Sequence, residues 1–165
     1  MERRTVVITV DGSPHSQRAF EWYVKHLMRP GVDVVYLIHI AEQVSLPMMS
    51  ADAPLSFPKD AWVEKLTART KMIEEIRDHY EAKLQEYKLH QSGKGGFISE
   101  NANSAFPGPQ LVEFIQNKKA EIVVMGNRGL GKLKRTFLGS VSDYVLHNSG
   151  VAVMIVPPTA DRFVQ

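Results

Sequence analysis

Cysteine is absent from this chain of 165 residues. That excludes a disulfide scaffold, thiol catalysis and zinc–thiolate sites, and it agrees with a reducing compartment. Apolar runs are short. The first run, "TVVITV" at 5–10, follows the basic start Met1-Glu2-Arg3-Arg4 and stops at Asp11 after six residues. Such a run is too short for a signal-peptide core or a membrane span, so a cytoplasmic protein with no membrane partner is expected. An excess of one charge is lacking too. Lys and Arg number 20 against 18 Asp and Glu, a net charge of +2. Composition therefore makes no electrostatic case for nucleic acid as a partner.

What is present is ordinary for a globular protein: 44% apolar and 23% charged residues. The length predicts one domain over 1–165, able to bury about 68–70% of its unfolded surface. Short β-branched runs alternate with helical patterns. "RTVVITVD", "DVVYLIHI" (33–40), "GGFISEN", "EIVVMG" (121–126) and "VAVMIVPP" (151–158) read as five strands. Between them Phe20, Tyr23, Val24 and Leu27 recur at helical spacing, as do Trp62, Leu66, Ile73, Ile76, Tyr80, Leu84 and Tyr87. Leu111, Val112, Phe114 and Ile115 mark a third helix, and Val141, Val145 and Leu146 a fourth. Alternation with strands apolar throughout predicts an α/β fold: an open, doubly wound parallel sheet covered by helices on both faces. The connection at about 41–58 carries Pro47, Pro54 and Pro58 with Met48 and Met49, and reads as a surface loop, long enough for a lid or partner surface.

Open parallel sheets bind ligands outside the carboxyl ends of their strands, where the winding reverses. Two strand tips stand out, "DGSPHS" after the first strand and "GNRGLG" after the fourth. If the fourth strand returns beside the first, both tips line one crevice. The second tip opens the stretch "VMGNRGLGKLKRTFLGSVSDYV" (124–145), in which Gly126, Gly129 and Gly131 precede Lys132, Lys134 and Arg135, and then Gly139-Ser140. Bare backbone beside positive charge suggests a phosphate site. "GNRGLGK" meets the first seven positions of the P-loop pattern, but Leu133 stands where a metal-holding hydroxyl is needed. The dinucleotide pattern fails as well, because Lys134 follows Gly129 and Gly131 where the third glycine belongs. The arrangement that fits is a loop whose amides face an anion, followed by a helix beginning near Ser140 with its free N–H groups aimed at the same spot.

Simpler readings apply to several of these residues. A glycine-rich strand-to-helix loop is often only a tight turn, and Ser13 or Ser16 would cap the first helix in any case. Asp11, Ser13 and His15 do not form a hydrolytic triad, since residues two apart at a helix start do not face each other. The six histidines, at 15, 26, 39, 79, 90 and 147, show no metal-binding spacing.

Gly126-x-x-Gly129, nine residues, then Gly139-Ser140 resembles the nucleotide-binding signature of the ATP-binding branch of the universal stress protein family. Asp11, Ser13 and Ser16 at the first tip, the "VMGNRG" strand exit and a closing strand followed by Pro agree with it, over roughly residues 4–158. The resemblance implies a Rossmann-like sheet in the order 3-2-1-4-5 and ATP held between the tips of strands 1 and 4. It further implies homodimerisation through the last strand, Val151 to Val156. Carried over, Asp11 would meet the ribose and phosphate side, and the Ile40 backbone the adenine edge. Gly126, Gly129, Gly139, Ser140, Val141 and Ser142 would surround ribose and phosphates, with Gly12, Ser13, Asn127, Arg128 and Gly131 completing the candidate set. Two departures are Asn127, where the family often has Ser, and "NANSAFPGPQ" (101–110), where a shorter Gly-Asp-Pro type turn is common.

The expected function is therefore ATP-dependent regulation in a stress response, with Mg²⁺ or Mn²⁺ carried on the phosphates and an unidentified downstream protein partner. Alternatives from other classes are a slow ATPase or phosphotransferase, and an interaction module using AMP or a cyclic nucleotide. Asp11 is the one acidic candidate near the phosphates, so ATP turnover, if present, is expected to be very slow.

Overall fold

A computed structural model describes residues 3–43, 59–89, 94–127 and 138–158. Its elements run β1 (Arg4–Thr9), α1 (Pro14–His26), β2 (Asp33–Ala41), α2 (Lys59–Glu86), β3 (Gly96–Asn101), α3 (Gly108–Asn117), β4 (Ile122–Gly126), α4 (Ser140–Asn148) and β5 (Ala152–Val156). All strand pairs are parallel, in the order β3-β2-β1-β4-β5. The expected elements are thus all present. α2 is set back toward the N-terminus relative to its apolar pattern, and β5 stops at Val156, before Pro157 and Pro158, which lack the N–H to continue a ladder. The long connection after β2 lies outside the described residues from position 44 to 58.

The two-residue period of the strands sorts their side chains onto two faces. Val6 and Ile8 of β1 join Val35, Leu37 and Val124 beneath α1 and α2, where Phe20, Tyr23, Ile76, Tyr80 and Leu84 complete one core. Val7 turns the other way and packs with Ile38, Val123 and Met125 against Leu111, Phe114 and Ile115 of α3 and Val145 of α4. Because both faces are covered, the inner strands are apolar at nearly every position.

One polar network is buried at the amino ends of β1 and β2. The Arg4 guanidinium grips Asp33 with two bonds of 2.7 Å, Tyr23 Oη donates to Oδ2 at 2.7 Å, and the Arg29 amide donates to the same oxygen at 2.8 Å. Burial alone would push the Asp33 carboxyl up. The Arg4 fork, the Arg29 amide and the Tyr23 hydroxyl outweigh it, so the carboxyl is held below its usual range. The same burial, helped by the bond to Asp33, raises the Tyr23 phenol and keeps it a donor.

β1 leads out to β2 and β3 on one side, while β4 and β5 lie on the other. The winding therefore reverses between β1 and β4, and the crevice for a ligand opens above their carboxyl ends.

Candidate functional site

A cleft of about 670 Å³ occupies that switch point, within the range of ordinary ligand pockets. Its lining includes Asp11, Ser13, Ile40, Gly126, Gly139, Ser140, Val141 and Ser142. Those eight came from the sequence, and the fold brings them together from four separate elements. Arg128, Gly129 and Gly131 lie outside the described residues. The remaining two candidates, Gly12 and Asn127, are absent from the wall. Gly12 has φ +73°, and a side chain there would point at Ile76 Cγ1, 3.0 Å away, toward α2 and not toward the cleft. Asn127 continues the β4–β5 ladder through its amide, 3.0 Å from the Val156 carbonyl, and its Oδ1 is buried.

The β1 tip is held by short-range hydrogen bonds. Asp11 Oδ1 accepts the Ser13 amide at 3.0 Å, a turn in which the carboxylate closes its own loop. Ser13 is the N-cap of α1, its hydroxyl accepting the Ser16 amide at 3.3 Å, with Pro14 in the first turn. Ser16 Oγ accepts the Asp11 amide at 3.3 Å, donates to the Ser13 carbonyl at 3.0 Å, and lies 3.2 Å from Tyr80 Oη. Burial pushes the Tyr80 phenol up to about 12, the contact with Ser16 pulls it back, and the charge of Asp11 adds to the rise. Ser13 and Ser16 therefore have structural duties that hold Asp11 at the rim, whatever the cleft binds.

The two described glycines of the motif differ in kind. At Gly126 a Cβ would run into the His15 carbonyl oxygen and lie 2.6 Å from its carbon and 3.1 Å from the Ser16 amide nitrogen. This glycine is bare because the first turn of α1 packs against it. At Gly139 the backbone is extended (φ −65°, ψ 148°), a conformation open to any residue, and among the described residues a Cβ would meet only Ser142 Oγ at 4.0 Å. Nothing in the described fold requires glycine there. Gly139 is the N-cap of α4 and supplies no side-chain cap; the Asp143 amide donates to its carbonyl at 2.8 Å. The amides of Ser140, Val141 and Ser142 thus precede the helical ladder at the positive end of the helix dipole, beside the cleft. That end can receive an anion.

The cleft also extends over the tips of β2 and β3, where sequence reading named only Ile40. Glu42, Gln43, Ala102, Ser104, Phe106 and Pro107 line this side, with Leu111 of α3. Gln43 Nε2 donates to the Ala102 carbonyl at 2.7 Å, and Gln110 fixes the connection before α3 from the other direction. The available signal was the departure at 101–110 from the family's shorter turn, together with the rule that every strand tip in such a sheet borders the crevice. Among the described residues no cluster of three His, Asp or Glu could hold a metal ion, and no helix is long and apolar enough to cross a membrane.

An open parallel α/β sheet with a crevice at its switch point, an uncapped helix N-terminus and an aspartate tip defines a recognisable class of protein. Residues 2–157 match the universal stress protein family, and the chain belongs to it. It is 24% identical over 155 residues to a universal stress protein of Methanocaldococcus jannaschii, covering 93% of this chain and 81% of that protein. It is 30% identical over 177 residues to one from Arabidopsis thaliana, covering 97% of this chain and 67% of the relative. A relative from Mycolicibacterium smegmatis is longer, and this chain spans 46% of it. Among solved structures, a universal stress protein from Lactobacillus plantarum superposes with a TM-score of 0.63 at 16% identity, covering 94% of this chain and 99% of that one. A universal stress protein solved in complex with cAMP superposes with a TM-score of 0.53 at 24% identity, covering 94% and 98%.

Proposed function

We propose that the chain is a nucleotide-binding regulator of a stress response that holds ATP in the cleft between the β1 and β4 tips. The observation that carries the reading is Gly139. Among the described residues nothing crowds a side chain there, yet the position is bare beside three helix-start residues that line the cleft. Phosphate oxygens need that approach, and the amides and dipole of α4 favour their charge. Asp11 stands at the ribose and phosphate side, and Ile40 at the base side. A divalent ion, Mg²⁺ or Mn²⁺, would ride on the phosphates. Asp11, with Oδ1 already accepting the Ser13 amide, suits a contact through water better than a dedicated cage.

A regulator needs to hold the nucleotide without consuming it quickly. Fast phosphoryl transfer calls for a protein-held metal and a group that orients the nucleophile, and Asp11, the carboxylate at the β1 tip, does both poorly alone, while Glu42 lies on the β2 and β3 side of the cleft. Turnover is expected far below the typical enzyme rate of about 10 s⁻¹. A cyclic nucleotide is the second reading, favoured by the relative solved with cAMP. The working form is a homodimer through β5. That strand lies at the end of the sheet order, and its Val153, Met154 and Ile155 are only partly buried. An apolar edge of this kind is managed by pairing with its own copy about a two-fold axis.

The test is to identify by mass any nucleotide that co-purifies, then to titrate the cleared protein calorimetrically with ATP, AMP and cAMP. ATP should bind more tightly than AMP. Failure of all three to bind with a Kd below about 1 mM would refute the reading.

A further inference from the structure

We infer that Phe106 is the base-stacking residue of the cleft, so that the β3–α3 connection selects ligands with a flat aromatic base at their uncharged end. The inference rests on the nucleotide reading above and adds a base-recognition residue to it. Phe106 lines the cleft and is 36% exposed. Lone exposed aromatics are ordinary on protein surfaces, but this one is built into place.

Its ring meets Tyr144 of α4 edge-on, with centroids 5.4 Å apart and planes at 85°. Gly108 makes the contact possible: a Cβ there would lie 2.6 Å from Phe106 Cε1 and 2.9 Å from Tyr144 Cδ1. The backbone under the ring is fixed as well. Ser104 Oγ donates to the Phe106 carbonyl at 2.7 Å. Gln110, buried to 9% exposure, accepts the Asn103 amide at 3.0 Å and donates to the Asn101 carbonyl and Glu100 Oε2, each at 3.0 Å. A polar side chain with three partners is thus committed to one loop conformation. Preorganisation of this kind lowers the ordering cost of a contact.

Phe106 lines the cleft together with the apolar side chains of Ile40 and Leu111. An aromatic face is electronegative and gains nothing from a phosphate. The amides of α4 attract one. These two features orient any nucleotide: the phosphates go to Gly139 and Ser140, and the base goes to Phe106.

The experiment compares ATP with inorganic tripolyphosphate, which carries the charge and lacks the base, by calorimetry on wild type, Phe106→Ala and Phe106→Trp. Far-UV dichroism checks each fold. Stacking on one aromatic ring corresponds to roughly a five- to 150-fold change in affinity. Phe106→Ala should therefore weaken ATP at least about fivefold and leave tripolyphosphate unchanged. Phe106→Trp should restore ATP affinity, and its added fluorescence should be quenched by ATP and not by tripolyphosphate. Equal ATP affinity in wild type and Phe106→Ala, or an equal loss for both ligands, overturns the stacking assignment and leaves nucleotide binding standing. Absence of nucleotide binding in wild type would remove both.

Discussion

Gly126 and Gly139 look alike in the sequence, and the structure predicts opposite consequences for giving each a methyl group. At Gly139 the backbone suits alanine and the nearest described atom to the new Cβ is 4.0 Å away. Alanine is a poorer N-cap than glycine, by about 0.5–1 kcal/mol, but it restricts the unfolded chain, a gain of about 0.4–1 kcal/mol. The two offset, and the melting temperature of Gly139→Ala should stay within about 2–4 °C of wild type. Binding should suffer, because the methyl group stands where an anion meets the α4 amides. Loss of one charge-assisted hydrogen bond costs about 1.5–3 kcal/mol, or roughly 10- to 150-fold in ATP affinity.

At Gly126 the Cβ meets backbone, 2.6 Å from the His15 carbonyl carbon, and α1 must move to admit it. Overpacking of this sort costs about 1–3 kcal/mol, a fall of roughly 2–12 °C in a protein of this size. Scanning calorimetry and ATP titration on the same two variants give four numbers. Unchanged ATP affinity in Gly139→Ala together with an unchanged melting temperature in Gly126→Ala would refute the division of roles.

Three further perturbations test the frame around the cleft. Asp33→Asn leaves the buried Arg4 guanidinium without its counter-charge and should cost about 3–5 kcal/mol. Because the Asp33 carboxyl is depressed in the fold, its contribution is present above the ordinary value of 3.8 and is lost as pH falls below it; denaturant melts should show a shallower acid loss in Asp33→Asn, and equal slopes would count against the network. Tyr80 runs the other way: its phenol is raised to about 12, so the unfolded chain ionises first and stability should decline between about pH 10 and 12, less steeply in Tyr80→Phe. Val153→Asp places a charge in the partly buried β5 edge strand and should convert a dimer to a monomer in sedimentation at a melting temperature still well above that of the assay. A wild-type chain that sediments as a monomer at tens of micromolar would sink the edge-pairing proposal.

The secondary structure was legible because burial on both faces forces near-continuous apolar strands, and helices under a sheet must repeat every three to four residues. The strand order was not contained in that pattern. It came with the resemblance, since parallel strands can be arranged several ways with the same local sequences. The β1 and β4 side of the cleft was readable because bare backbone and short polar side chains are rare enough at strand tips to be noticed. Its β2 and β3 side was not, because its residues act through hydrogen bonds that follow no motif, whether to near or to distant positions. Gln43 holds the carbonyl of Ala102, and Gln110 reaches back to Glu100, Asn101 and Asn103. The same is true of Arg4 and Asp33, 29 positions apart.

A motif letter also hides its cause. Glycine is chosen wherever a side chain would collide, and the collision can be with the protein's own helix, as at Gly126, or with something the protein holds, as proposed for Gly139. Sequence spacing weights the two equally. Only the distance from the missing Cβ to its neighbours separates them, and it assigns Gly126 to the packing of α1. At Gly139 it finds no collision among the described residues, and the position's role in the described fold is the N-cap of α4, which other small polar residues fill as well. A bare position that no described residue crowds, beside three helix-start amides, is therefore stronger support for a ligand than the full set of glycines counted together.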